Sequence, residues 1–249
     1  MRPGACGSVA VVSAVPVLEV NGLTRRYGEL EAVRELELEL VPGECVAVIG
    51  HNGSGKTTAM RMIAGLLDPS AGSVAVDGAR IGDRLESVAA RAALAMIPDT
   101  AALYDDLTVR EHLQLVALAH DDADESLHER IATLLDVLAL TDKADARPGQ
   151  LSRGMRQKAQ LACALIRPSR LLVLDEPVVG LDPAAQRTLR ELLLEAKRAG
   201  RGVLLTTHQL EFARGIADRA VLLSEGEVVA VGPYEEIVDG SLVREYGLL

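Results

Sequence analysis

The run Cys45-Val46-Ala47-Val48-Ile49 passes without a break into Gly50-His51-Asn52-Gly53-Ser54-Gly55-Lys56-Thr57, and no other stretch restricts the fold so tightly. A continuous apolar run suits a strand covered on both faces, as in parallel sheets flanked by helices. The glycines that follow fit the pattern G-x-x-x-x-G-K-[ST]. In that pattern consecutive backbone N–H groups curl around a polyphosphate and a helix opens at the lysine. Lys56 is then spaced to reach the outer phosphates, and the Thr57 hydroxyl to hold Mg²⁺.

A second apolar run, Leu171-Leu172-Val173-Leu174, ends in Asp175-Glu176. Acids that emerge at the carboxyl end of a buried strand stand where open α/β sheets bind ligands. Here Asp175 is expected on the Mg²⁺ shell and Glu176 against the attacking water. The α/β rhythm continues with a helix opened by Asp182 as N-cap and Pro183 in first position, a strand at Gly202 to Thr206, and strands near Val221 and Val228.

Ahead of the glycine-rich loop, Val17 to Val20 and Leu36 to Leu40 alternate apolar and acidic residues, the pattern of half-buried antiparallel strands. After it we expect a helix over Lys56 to Leu66 and a strand over Ser73 to Val76. From about Thr108 to Leu140 the chain is helical, with Leu113, Val116, Leu118, Ile131, Leu134, Leu135 and Leu138 at helix spacing and Asp121 to Glu125 as a charged joint. Leu151-Ser152-Arg153-Gly154-Met155 follows the Pro148-Gly149 break, so Ser152 and Gly154 open a further helix running to about Ile166. The chain reads as one α/β core with a helical insertion and antiparallel strands at the front.

Composition narrows the function. A formal net charge of −10 and only 2% aromatic residues disfavour nucleic acid, which calls for a basic face and stacking platforms. The stretch Val9 to Leu18 is too short to cross a membrane and has no clear cleavage site as a secretory signal. Cys6, Cys45 and Cys163 are odd in number and far apart, as in a reduced cytosolic protein, with Cys45 and Cys163 in apolar surroundings. His112, His120 and His128 recur too far apart for neighbouring metal ligands and are expected on solvated helix faces.

Taken in order, these motifs resemble the nucleotide-binding subunit of an ATP-binding cassette (ABC) transporter, over about residues 16 to 240. The implied fold is α/β: a P-loop NTPase core with an antiparallel β subdomain and an inserted α-helical subdomain at about 100–165. Residues 1–15 are expected as an N-terminal extension and 16–249 as a single ATP-binding domain. By the resemblance, ATP contacts Gly50, His51, Asn52, Gly53, Ser54, Gly55, Lys56, Thr57 and Thr58, and its adenine stacks on Tyr27. Ser152, Arg153, Gly154 and Met155 match the signature that meets ATP held by an opposing subunit. Asp182, in Gly180-Leu181-Asp182, matches the loop that crosses that interface, and His208 matches the switch histidine that senses or polarises the γ-phosphate, with Glu176 as the other catalytic residue.

The resemblance implies Thr57, Asp99 and Asp175 as the Mg²⁺ set, although Asp99 replaces the family's usual Gln. Arg153 and Met155 replace a Gly and a Gln in the signature, and Val179 a common Ser. The Ser-Arg-Gly-Met form is similar to that of ABC-2 type exporter subunits. The resemblance implies ATP and Mg²⁺ as cofactors, a second cassette (a homodimer) and a membrane-spanning permease subunit as partners, and a cytoplasmic place on the inner face of the membrane. A soluble ABC ATPase of the iron–sulfur assembly or division-regulator type is the alternative.

Overall fold

Leu36, Leu38 and Leu40 are buried while Glu37 and Glu39 are exposed, as their alternation requires of a strand with one wet face. The computed structural model describes residues 15–82 and 86–248. The expected extension at 1–15, with Cys6, therefore lies outside the described residues except for Val15.

The front of the chain forms β1 (Leu18–Tyr27), β2 (Leu30–Leu40) and β3 (Cys45–Ile49), followed by α1 (Lys56–Ile63). Next come β4 (Ala71–Val76), β5 (Ala79–Ile81), α2 (Glu86–Ala93) and β6 (Leu94–Ile97). The helices α3 (Val109–Ala119), α4 (Leu127–Val137) and α5 (Arg153–Leu165) separate β6 from β7 (Leu171–Asp175). The remainder is α6 (Pro183–Arg198), β8 (Gly202–Thr207), α7 (Leu210–Ala213), β9 (Arg219–Ser224), β10 (Glu227–Pro233), α8 (Tyr234–Asp239) and α9 (Ser241–Glu245).

A four-stranded antiparallel sheet, ordered β2-β1-β4-β5, faces a six-stranded sheet ordered β10-β9-β3-β8-β7-β6. In the larger sheet β9, β3, β8, β7 and β6 run parallel, and only β10 is antiparallel. Its inner strands are buried on both faces, which explains their unbroken apolar runs. Cys45, Ala47, Ile49, Leu172 and Leu174 enter one core with the helices, whereas Val46, Val48, Leu171 and Val173 enter a second core. That second core holds α1, through Ala59, Met60, Met62 and Ile63, together with the apolar face of the antiparallel sheet. The helix carrying Lys56 is thereby clamped between two sheets.

Several expectations need correction. Helix α1 ends at Ile63 rather than Leu66, because Ala64 caps it and Gly65 reverses the chain at φ 67°. Leu118 is 62% exposed and outside the core. The buried stripe of α3 runs through Val109, Leu113 and Ala117, and Leu118 lies about 100° further round the helix. His112 is buried rather than solvated: Tyr104 stacks on its ring and donates its backbone N–H to Nε2 over 2.8 Å, while Nδ1 lies 2.7 Å from Thr108 O. The loop before α3 folds back over its first turn and covers a face that spacing alone marks as polar. Cys45 and Cys163 are buried, and burial pushes the Cys163 thiol up to about 12. Among the described residues no helix is long and apolar enough to cross a membrane.

Candidate nucleotide site

The loop after β3 delivers an uncapped helix N-terminus. Gly55 occupies the N-cap of α1 at φ 103°, makes no side-chain cap bond, and is followed by a first turn without acidic residues. A Cβ at Gly55 would stand 2.3 Å from Ala32 O, so both conformation and space require glycine. Free N–H groups and the positive end of the helix dipole therefore face outward together, an arrangement suited to an anion. Lys56 is buried, and its Nζ donates to Gly50 O at 2.7 Å and His51 O at 2.8 Å. Burial lowers its pKa below that of a free lysine, an effect opposed by the negative charges of Glu176 and Asp175.

A cavity of about 300 Å³ opens in front of this loop. Asn52, Gly53, Gly55, Lys56, Thr57 and Thr58 line it from one side, and Asp99 and Glu176 from another. Two chain-distant acids thus converge on the phosphate-type loop. Tyr27 does not line this cavity. It ends β1, is 47% exposed, and carries the Arg25 guanidinium 4.6 Å from its ring centroid. Ser54 is buried and its Oγ has no hydrogen-bond partner among the described residues.

The acids are set by strand pairing. In the parallel register of β7 and β8, Asp175 sits opposite Thr206. The Thr206 hydroxyl donates to Asp175 Oδ1 at 2.6 Å and accepts the Glu176 backbone N–H at 2.9 Å. Glu176 adopts φ 47°, a left-handed conformation uncommon for a side-chain-bearing residue and found at functional turns. His208, just beyond β8, meets Glu176 Oε2 through its ring Nδ1 at 2.9 Å. Thr206, which is fully buried, is the contact that motif reading missed; a hydroxyl directly after the apolar run Val203 to Leu205 is the sequence signal for it.

Asp175 is 1% exposed, and its Oδ2 has no partner among the described residues. A buried carboxylate oxygen left in that state is costly unless a cation meets it. Oxygen donors from Thr57, Asp175 and Asp99 suit a hard divalent ion. No group of three or more His, Cys, Asp or Glu side chains poised for a metal occurs among the described residues.

Ser152 to Met155 do not line this cavity. Ser152 is the N-cap of α5, accepting the Met155 backbone N–H at 3.2 Å. Gly154 is packed from within the same chain: a Cβ there would lie 2.7 Å from Gly180 O, while the Arg153 side chain covers Gly180. Asp182 caps α6 by accepting the Ala185 N–H at 2.8 Å, with Pro183 in first position as expected. That hydrogen bond holds the Asp182 carboxyl below the usual carboxylate range. A second cavity, of about 260 Å³, lies between Asp99 to Ala101 and Arg153, Arg156 and Gln157. The Asp99 loop is moored there to α5, since Gln160 Oε1 accepts the Ala102 N–H at 2.9 Å.

Several known proteins are similar to this chain. The profile of the ABC transporter family matches residues 33–179. The chain is 36% identical over 221 residues to the ABC-type transporter ATP-binding protein EcsA of Bacillus subtilis (strain 168), covering 89% of each chain. It is 34% identical over 229 residues to the Nod factor export ATP-binding protein I of Burkholderia orbicola (strain AU 1054), covering 92% of this chain and 75% of that one. A solved ATP-binding subunit of an ABC transporter superposes with a TM-score of 0.84 at 36% identity, covering 93% of this chain and 94% of the other. A dimeric ATP-binding cassette in a post-hydrolysis state with ADP and phosphate gives 0.77 at 26% identity, over 87% and 98%.

Proposed function

The chain belongs to the ABC transporter family as an ATP-binding, ATP-hydrolysing subunit, and from that premise we propose how its residues divide the work. The α1 N-terminus and Lys56 bind the ATP phosphates. Thr57, Asp175 and Asp99 would hold Mg²⁺, which supplies charge neutralisation on those phosphates. Glu176 takes a proton from the attacking water, and His208 keeps that carboxylate oriented. Such catalysis rests mainly on positioning and electrostatics.

Residues 16–249 act as one domain, with the helical part at about 100–165. Ser152, Arg153, Gly154 and Met155, with Asp182 beside them, meet nucleotide held by a second, identical copy, while Tyr27 stacks on the adenine of the nucleotide bound at this chain's own Lys56 and Thr57. That Ser152 and Gly154 do not line the Lys56 cavity of their own chain supports this, since a site completed in trans takes its second half from the other copy. The pore belongs to a separate permease subunit, so the chain works on the cytoplasmic face of a membrane and drives export. The names of the relatives, transporter and export ATP-binding proteins, support that reading over a soluble ATPase that moves no solute.

The observation that carries the nucleotide reading is the convergence of Lys56, Asp99 and Glu176 on one cavity. ATP hydrolysis by the purified protein, measured beside Lys56→Ala, tests it. We expect the variant to lose nucleotide binding. Equal ATP affinity in both proteins would overturn the assignment. Recovery of the protein from detergent extract together with a multi-span membrane protein tests the transport assignment.

A further inference from the structure

His51, the second residue of the phosphate loop, does not line the nucleotide cavity. Its Nε2 hydrogen-bonds instead to the carbonyl oxygen of Tyr246, across 195 residues of chain. A carbonyl only accepts, so Nε2 carries the proton, as it does in one neutral tautomer and in the imidazolium alike. Gly247 follows at φ 63° and lies against the ring, since a Cβ there would come 3.4 Å from Nε2 and 3.5 Å from Cε1.

The segment that supplies this carbonyl is itself anchored. Val243 of α9 is fully buried, and Leu242, Tyr246 and Leu248 pack against the larger core. The turn after α9 is closed by Gly247 N–H to Arg244 O at 3.0 Å and Leu248 N–H to Val243 O at 2.8 Å. At its other end His51 offers its own carbonyl to Lys56 Nζ at 2.8 Å. One loop residue is thus gripped twice, by the phosphate-binding lysine through its backbone and by the C-terminal segment through its ring.

We propose that His51 is a positioning residue through which the C-terminal segment 241–248 clasps the phosphate loop, so that docking of that segment and binding of nucleotide favour each other. The proposal rests on the reading of this loop as the ATP phosphate site. A loop whose N–H groups must converge on phosphate binds more tightly when it is held in that shape beforehand. By linkage, nucleotide must stabilise the docked segment by the same factor.

ATP affinity at equilibrium, measured for the wild type, His51→Ala, a chain ending at Glu245, and the two changes combined, tests the clasp. Each single change removes the same contact, so we expect each to weaken ATP binding by about 5-fold and the combination to be no worse than either. His51→Gln, which keeps a side-chain N–H donor, should recover part of the loss. Unchanged affinity in His51→Ala, or losses that multiply in the combined variant, would overturn the clasp. Should the shortened chain fail to fold, hydrogen exchange across 241–248 decides in its place. ATP should slow exchange there in the wild type but not in His51→Ala, and equal slowing in both would overturn the proposal. A wild-type protein that binds no ATP would instead remove the nucleotide reading on which the clasp rests.

Discussion

His208 holds a single oxygen of Glu176 from two directions. Its ring Nδ1 lies 2.9 Å from Oε2, and its backbone N–H donates to the same atom over 3.3 Å. The Glu176 side chain is 14% exposed, against 50% for His208, so the pair sits at the rim of the cavity with the acid inside. With Oε2 occupied in this way, the proposed base role falls to Oε1.

Glu176→Gln should bind ATP with near wild-type affinity and hydrolyse it about 10²-fold more slowly or worse, the usual size of a general-base contribution. It should also accumulate as an ATP-dependent dimer on gel filtration. His208→Ala should slow turnover less, because it loosens the base without removing it. Combined with Glu176→Gln it should add little. Turnover unchanged in Glu176→Gln would move the base role to another residue.

Ser152 is the N-cap of α5 and, in the proposed function, also a phosphate contact in trans, and substitution can separate the two. As the N-cap of α5 it is worth about 1 kcal/mol, which Ser152→Ala forfeits and Ser152→Asp retains. The proposed phosphate contact in trans would be lost in Ser152→Ala and made repulsive in Ser152→Asp. We expect the alanine variant to melt slightly lower and the aspartate variant to melt near wild type. Both should bind ATP normally as monomers and fail to dimerise with it. Loss of monomeric ATP affinity in either variant would make Ser152 part of the local site.

Asp99 lines both the nucleotide cavity and the cavity beside Arg153. An ionised Asp accepts hydrogen bonds but donates none, so it serves a cation and repels a bare phosphate. Asp99→Asn should bind ATP yet require more Mg²⁺ for half-maximal turnover. Asp99→Gln should be tolerated or mildly activating. Superimposable Mg²⁺ titrations of wild type and Asp99→Asn would take Asp99 out of the metal set and leave it as a structural part of the loop moored by Gln160.

Reading from sequence succeeded where a function is built from neighbours in the chain. The caps at Ser152 and Asp182 were legible because a cap bond spans only three residues. The two-faced burial of β3 and β7 was legible because an unbroken apolar run admits few other environments. It failed at Leu118 and His112, where periodicity names a face of the helix but not what covers it.

The chain by itself thus determined the phosphate loop, the acids at the end of β7, the caps and the alternation of sheet and helix. Each depends on backbone conformation and burial patterns that act over a few residues. Only the tertiary structure decided which atoms meet across the folded chain. The pairing of β7 with β8 brings Thr206 to Asp175 and His208 to Glu176, and the approach of Gly180 O makes a side chain at position 154 too large. The docking of α9 likewise carries the Tyr246 carbonyl to His51. These contacts join residues far apart in sequence through strand order and register. No local pattern encodes them, because the energy that selects them comes from packing the two cores as wholes.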